Sequence, residues 1–363
     1  VNRRCLLVAA LAAPALVRAQ GGTSWQRSFS NWATQHGVQA GNIAAMRYGR
    51  LVHATGFGSR PAQARAPIWS LSKSITAAAI AQLIGAGRLA LGTPLGAAMP
   101  KTFRAHGVAT DTPLAQLSIE QLLTHRSGLS AEWGVPLRQW LHEEPPSRIP
   151  LERAVPFLLR ASVERPPGSE FRYSNTGYLL LGLVIAELTG RTYRQALAGG
   201  LLADAGIRNA TLDPDWHAFT STGGWRLSPA EYLAFANHTL LTNRVIPASV
   251  RAWMTEPRGK LTGADPNFFY SLGLVVETRP AGVNFFHTGS WTWIQAARHG
   301  AVSANSASQF LMAPSGTAWC ATFQPHPGDE ARRALWTALW PCVAHGSDES
   351  STDLFPGLLA QAS

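Results

Sequence analysis

The chain has 363 residues, of which 46% are hydrophobic and 14% charged, with 31 basic side chains against 21 acidic ones. That length holds one large domain or two smaller ones, and the apolar content excludes a largely disordered chain. The positive charge is scattered, so it does not form the patch that a nucleic-acid partner requires.

The first segment, "VNRRCLLVAALAAPALVRAQ", has a basic start, an apolar run and small residues before Gln20. It reads as a secretory signal peptide, residues 1–19, cleaved after Ala19. Its apolar run is too short for a stable membrane span. Asn2-Arg3-Arg4-Cys5-Leu6-Leu7 also fits a twin-arginine signal loosely, and both export routes stay open. A periplasmic or secreted protein is expected. Cleavage leaves Cys320 and Cys342, read either as two buried free thiols or as a disulfide.

In chain order, Ser24 to His36 has helical period, with Trp25, Phe29 and Trp32 on one face. Two strands follow, "NIAAMRYG" and "RLVHATGFG". A helix runs from Ser70 to Arg88 and stops at Gly85 and Gly87. Ser118-Ile119-Glu120-Gln121 is a capping box opening a helical middle. Residues 131–150 form a Trp- and Pro-rich excursion, Leu151 to Ala161 is helical, Pro166-Pro167-Gly168 breaks the chain, and Tyr178 to Leu188 is an apolar helix. Ser228-Pro229-Ala230-Glu231 is a second capping box, with Pro at the first helical position. From Phe268 onward the runs "FFYSLGLVVE", "NFFHTGS", "IQAARHGA", "ASQFLMAP" and "TAWCATFQ" predict an antiparallel meander, closed by the helix "DEARRALWTALWPCVAH". This order predicts an α+β fold whose sheet is assembled from both ends of the chain. Residues 20–95 and 208–345 form the sheet domain, 96–207 an all-helical insert, and 346–363 a flexible tail.

Three pieces of the sequence carry chemistry. Lys73 is one of only three lysines, with Lys101 and Lys260, in a chain that otherwise uses Arg. Arg stays protonated, whereas a buried Lys can lose its proton and act as a base. Ser70 lies three residues before it, on the same helical face, so the amine can take the proton of the hydroxyl and release a nucleophile. In "SEFRYSNTGYLLLG", Tyr173 and Asn175 point the same way from an extended stretch and can enter one cleft; a core Tyr beside a capping Asn is the structural alternative. On a predicted strand, His287 and Gly289 share a face, and Gly289 leaves room for a ligand against the backbone. Neither HExxH nor GxSxG occurs, the cysteine spacings match no zinc pattern, and no metal or cofactor is expected.

Taken together and in this order, "SLSK", "LSIEQLLTHRSGL", "PPGSEFRYSNTGYLLLG", "GGWRLSPAEYLAFA" and "HTGS" resemble the class C β-lactamase-like serine hydrolases. These include penicillin-binding DD-peptidases, D-aminopeptidases and esterases of the same fold. The resemblance extends from about Asn42 to Trp340. It implies an antiparallel sheet flanked by helices beside an all-helical domain, with the site between them. It implies Ser70 as nucleophile, Lys73 as proton acceptor and Tyr173 as proton shuttle. Asn175 would hold the substrate carbonyl and the Lys73 amine, and the backbone N–H groups of Ser70 and Ser290 would form the oxyanion hole.

One position departs from the lactamase pattern: His287 stands where those enzymes have the Lys of Lys-Thr-Gly. A fixed cation for a carboxylate is replaced by a group mostly neutral at pH 7, which predicts weak or no β-lactamase activity. Trp291 and Trp293 after that strand, with Trp133 and Trp140 in the insert, read either as structural packing or as an aromatic rim that would suit an apolar ester or amide. A penicillin-binding sensor that acylates without turnover, or a DD-peptidase-like protein acting at peptidoglycan, is the alternative.

Overall fold

The computed structural model describes residues 24–130, 151–213, 219–242, 244–258, 261, 265–291, 294–297, 300–303, 305–344 and 346–361. The expected signal peptide, the excursion at 131–150, and Trp133, Trp140 and Trp293 lie outside the described residues.

A seven-stranded antiparallel sheet is the frame. Its strands are β1 (Ala40–Arg47), β2 (Arg50–Gly58), β6 (Phe268–Ser271), β7 (Leu274–Arg279), β8 (Gly282–Trp291), β11 (Ser306–Met312) and β12 (Thr317–Gln324), in the order β2-β1-β12-β11-β8-β7-β6. The pairing of β1 with β12, Ile43 opposite Ala321, joins the two ends of the chain as expected. β3 (Ala66–Pro67), β4 (Thr211–Leu212) and β5 (Trp225–Leu227) make a small second sheet. Two runs that read as single strands are hairpins. "FFYSLGLVVE" turns at Leu272 and Gly273, both with positive φ, and "IQAARHGA" folds back as β9 (Ile294–Ala297) on β10 (Gly300–Ser303).

The helices include α1 (Trp25–Gln35), α2 (Ser72–Gly85), α3 (Ile119–Leu123), α4 (Asn175–Thr189), α5 (Pro229–Ala236), α6 (Asp329–Ala344) and α7 (Phe355–Gln361). Both capping boxes form, at Ser118 with Gln121 and at Ser228 with Glu231. α4 starts three residues before Tyr178, and the expected helix from Leu151 is a 3-10 turn followed by the short helix Val155–Leu158.

Alternation along the central strands sorts their side chains to two covered faces. Phe323 and Trp319 meet Trp32 of α1 and Trp336 of α6, with ring centroids 4.9 Å apart in each case. On the opposite face, Phe310 meets Tyr232 of α5 at 5.0 Å. Cys320, directly opposite Phe310, shares that second face, whereas Cys342 lies on α6 across the sheet. Both are buried free thiols, and burial raises both, Cys342 to about 11.

The tail expected to be flexible is docked. Asp348 accepts from Ser24 Oγ (2.8 Å) and from the backbone N–H groups of Trp25 (2.8 Å) and Gln26 (3.0 Å), capping α1. Glu349 pairs with Arg47 of β1 at 2.5 Å. Asp353 accepts the Leu51 N–H, and Phe355 is buried. The physical reason is that a helix start exposes N–H groups without internal acceptors, and the acidic tail supplies them.

Candidate active site

Ser70 sits in a 3-10 turn, Trp69–Leu71, that leads directly into α2. β8 and β11 hold that turn from below. Ser308 Oγ donates to the Ile68 carbonyl at 2.7 Å, and Trp69 Nε1 donates to Ser306 Oγ at 2.9 Å. Trp291 stacks on Trp69 with centroids 5.8 Å apart. These contacts keep Trp69 at φ +48, a conformation that costs a bulky residue on the order of 1–3 kcal/mol. Gly289 has a different role from the one expected. A Cβ there would stand 2.4 Å from the Ile68 carbonyl oxygen and 2.5 Å from Ser308 Oγ. The space left by the missing side chain is filled by the turn that carries Ser70, leaving none for a ligand.

Lys73, the second residue of α2, is fully buried. Its Nζ lies 2.8 Å from Asn175 Oδ1, 2.8 Å from the Thr222 carbonyl oxygen and 3.2 Å from Ser70 Oγ. None of these partners is a carboxylate, and burial lowers its pKa well below the ordinary lysine value. A neutral amine has two hydrogens and one lone pair. Asn175 Oδ1 and the Thr222 carbonyl can only accept, so they take both hydrogens, and the lone pair is left facing Ser70. The β6–β7 turn closes over this part of α2: Gly273 has φ +77, and a Cβ on it would stand 2.5 Å from the Lys73 carbonyl oxygen. Only glycine meets both demands there.

Tyr173 comes from the extended approach to α4 and Asn175 is the first residue of that helix, with Ser174 between them as the N-cap residue, so the expected extended stretch ends at Ser174. Tyr173 donates its hydroxyl to Ser70 Oγ at 2.9 Å, and its ring lies 4.8 Å from Lys73 Nζ. Asn175 Oδ1 also accepts from Thr222 Oγ1 at 2.8 Å, which turns the amide nitrogen of Asn175 away from the lysine.

Behind Tyr173 stands a cluster of buried rings. His125 lies 4.3 Å from Tyr173, 4.5 Å from Tyr270 and 5.0 Å from Tyr178, centroid to centroid. Burial, then the fields of Lys73 and His287, keep His125 well below the ordinary histidine value. His287 is 1% exposed. Its Nδ1 lies 2.6 Å from the Thr288 carbonyl, which can only accept, so Nδ1 carries the hydrogen and Nε2 accepts from the Tyr270 hydroxyl at 3.0 Å. Burial, followed by the Lys73 field, pushes His287 down to about 3. Both ring nitrogens are spent inside the protein, so His287 backs the site and presents no donor to a substrate.

The structure therefore brings Ser70, Lys73, Tyr173 and Asn175 into one hydrogen-bonded group. Ser290 and Trp291, both partly exposed at the end of β8, lie beside it, and Phe219 packs on Trp291 at 5.3 Å. Thr222, Tyr270, Ser306 and Ser308 were not anticipated, and His125 stands out in the sequence only as part of "LLTHRSGL". Among the described residues no cluster of His, Cys, Asp and Glu could hold a metal, and no helix is long and apolar enough to cross a membrane.

A sequence model of the family described as Beta-lactamase matches residues 14–334. Over 198 residues the chain is 26% identical to penicillin-binding protein 4 of Amycolatopsis lactamdurans, covering 53% of this chain and 49% of that protein. Over 195 residues it is 28% identical to the D-aminopeptidase of Brucella ovis, covering 51% of this chain and 35% of that protein. The aligned part thus spans about half or less of these curated relatives' length. Among solved structures, a D-stereospecific amidohydrolase from Streptomyces sp. shares the fold, with a TM-score of 0.68 and 20% identity over 86% of this chain and 96% of that one.

Proposed function

The chain belongs to the β-lactamase family, and from that premise we propose that it is an exported serine hydrolase working through an acyl-enzyme on an ester or a D-amino-acyl amide. The observation that carries this reading is the geometry at buried Lys73, whose Nζ lies 3.2 Å from Ser70 Oγ while its other two partners, Asn175 Oδ1 and the Thr222 carbonyl, can only accept. In the proposed reaction Ser70 gives its proton to Lys73 as Oγ attacks the substrate carbonyl carbon. The departing amine or alkoxide takes a proton from the Tyr173 hydroxyl, and the resulting phenolate takes up the proton that Lys73 received, its ammonium lying against the Tyr173 ring. Water then enters the vacated position and is deprotonated by the same Tyr173–Lys73 pair as it attacks the acyl carbon; the acyl–Oγ bond breaks, and that proton returns to Ser70 Oγ.

The carbonyl oxygen would be held by the N–H groups of Ser70 and Ser290. The close approach of β8 to the nucleophile turn at Gly289 supports that pairing. Asn175, with its oxygen turned inward, would offer its amide N–H to the substrate's acyl side. Substrate class rests on two supports. Two of the relatives carry names of D-specific amide hydrolases, and His287 offers no cation for a β-lactam carboxylate. Export rests on the reading of residues 1–19.

A steady-state panel of p-nitrophenyl butyrate, D-alanine p-nitroanilide, a D-Ala-D-Ala peptide and nitrocefin tests this. Turnover of the ester or the D-anilide well above nitrocefin is expected. Stoichiometric acylation without turnover on every substrate would favour the sensor alternative.

A further inference from the structure

His125 meets the segment carrying Tyr173 at two points. Its backbone carbonyl accepts the Arg172 N–H at 2.7 Å, and its ring Nδ1 accepts the Ser174 N–H at 3.1 Å. The residues on either side of Tyr173 are therefore both tied to this one residue, in the manner of a neighbouring strand. The imidazole also lies 4.3 Å from the Tyr173 ring at an interplanar angle of 40°. To reach both N–H groups, His125 adopts φ +56 just past the end of α3 and is 1% exposed.

Because Nδ1 accepts, the hydrogen sits on Nε2, which has no hydrogen-bond partner among the described residues and lies among the rings of Tyr173, Tyr178 and Tyr270. A buried polar hydrogen left without an acceptor is costly. A Leu or Phe would fill the same space without that cost. What neither can supply is the ring acceptor for Ser174.

We propose that His125 is the positioning residue for Tyr173, setting its hydroxyl on Ser70 Oγ by clamping the backbone on both sides of it. The inference rests on the proposed role of Tyr173 in proton transfer. It gives "LLTHRSGL" a mechanical role, in which α3 delivers one residue whose carbonyl and ring fix the height and twist of the segment entering α4.

The test is a double-mutant cycle on the full chain, read as kcat/KM for p-nitrophenyl butyrate. His125→Phe keeps a ring and loses the acceptor, whereas His125→Asn keeps an acceptor near the Nδ1 position. Each is made alone and with Tyr173→Phe. His125→Phe alone should lower kcat/KM on the order of 10- to 100-fold, the scale of a misplaced proton-transfer group. His125→Asn should recover most of that loss, and neither should cost anything further once the Tyr173 hydroxyl is gone. An equal loss with and without that hydroxyl, or an Asn variant as impaired as Phe, would overturn the proposal. If His125→Phe does not fold, His125→Asn decides. Activity near wild type, or a loss confined to enzyme bearing Tyr173, supports the clamp, and a loss indifferent to Tyr173 overturns it. A Tyr173→Phe enzyme as active as wild type would instead refute the reading of Tyr173, before His125 is touched.

Discussion

Lys73 Nζ and Asn175 Oδ1 meet at 2.8 Å inside the protein, an amine held by an amide where an ion pair would ordinarily be. A carboxylate at that position would favour the charged amine, whereas an amide oxygen accepts a hydrogen without adding a full charge. Burial is then unopposed and lowers the amine's pKa well below the ordinary lysine value, which favours the neutral form that can accept a proton.

This relationship predicts the effect of Asn175→Asp. A carboxylate beside Lys73 favours its charged form and raises the lysine pKa. Lys73 acts as a base only when deprotonated, so the acid limb of the kcat/KM–pH profile should move to higher pH and the rate at pH 7 should fall. An acid limb at its wild-type position would mean that Lys73 is not the group it reports.

Lys73→Arg should be as inactive as Lys73→Ala. Arg preserves the charge but gives up no proton at any working pH, and its fork has to enter a site with no exposure to solvent. Both variants should lose about 10²- to 10⁴-fold in kcat/KM. Recovery of activity by Arg would make Lys73 an electrostatic partner only.

His287→Lys should fail to create a β-lactamase. The ring it replaces is buried, hydrogen-bonded at both nitrogens, and near Lys73. An ammonium there loses its water and meets a second buried amine, so a lower Tm is expected, with no more than about a 3-fold gain in the nitrocefin-to-butyrate ratio of kcat/KM. One charge-assisted hydrogen bond to a carboxylate would give about 10-fold or more, and a gain of that size would show that the side chain reaches the cleft.

The docked tail predicts acid sensitivity. Burial alone would raise the Asp348 carboxyl, but the hydrogen bonds from Gln26, Ser24 and Trp25 and the field of His53 outweigh it and hold it low. At Glu349, Arg47 and Trp25 likewise overcome burial. Folded-state pKa values below the unfolded ones mean that this stabilisation is complete above the unfolded carboxylate range near 4 and is lost as pH falls through the folded values. Asp348→Asn should lower stability at pH 7 by about 1–3 kcal/mol and flatten the melting temperature's decline below pH 4. A decline as steep as in wild type would place the acid sensitivity elsewhere.

Much of the site was legible because its chemistry lies in local spacings. Ser70 and Lys73 are one helical turn apart, and Tyr173 and Asn175 flank the N-cap residue of one helix. The antiparallel sheet was legible in short β-rich runs, and its closure by β1 on β12 in the order of strands and helices. What stayed hidden depends on contacts between distant segments. The Thr222 carbonyl that accepts from Lys73 is a backbone atom and has no residue signature. Trp69 and His125 take positive φ without being glycine, because tertiary contacts hold them there. Gly289 reads as open space, since a sequence does not show that Ile68 fills it. The acidic tail reads as solvated until the bare N-terminus of α1 is placed beside it.

The central claim, that Ser70 is the nucleophile of an acyl-enzyme, is tested most directly by intact-mass and peptide mapping after reaction with a fluorophosphonate. One adduct per chain, located on the peptide bearing Ser70 and absent from Ser70→Ala, is the predicted result. An adduct that persists in Ser70→Ala, or maps to another residue in the wild type, would contradict it.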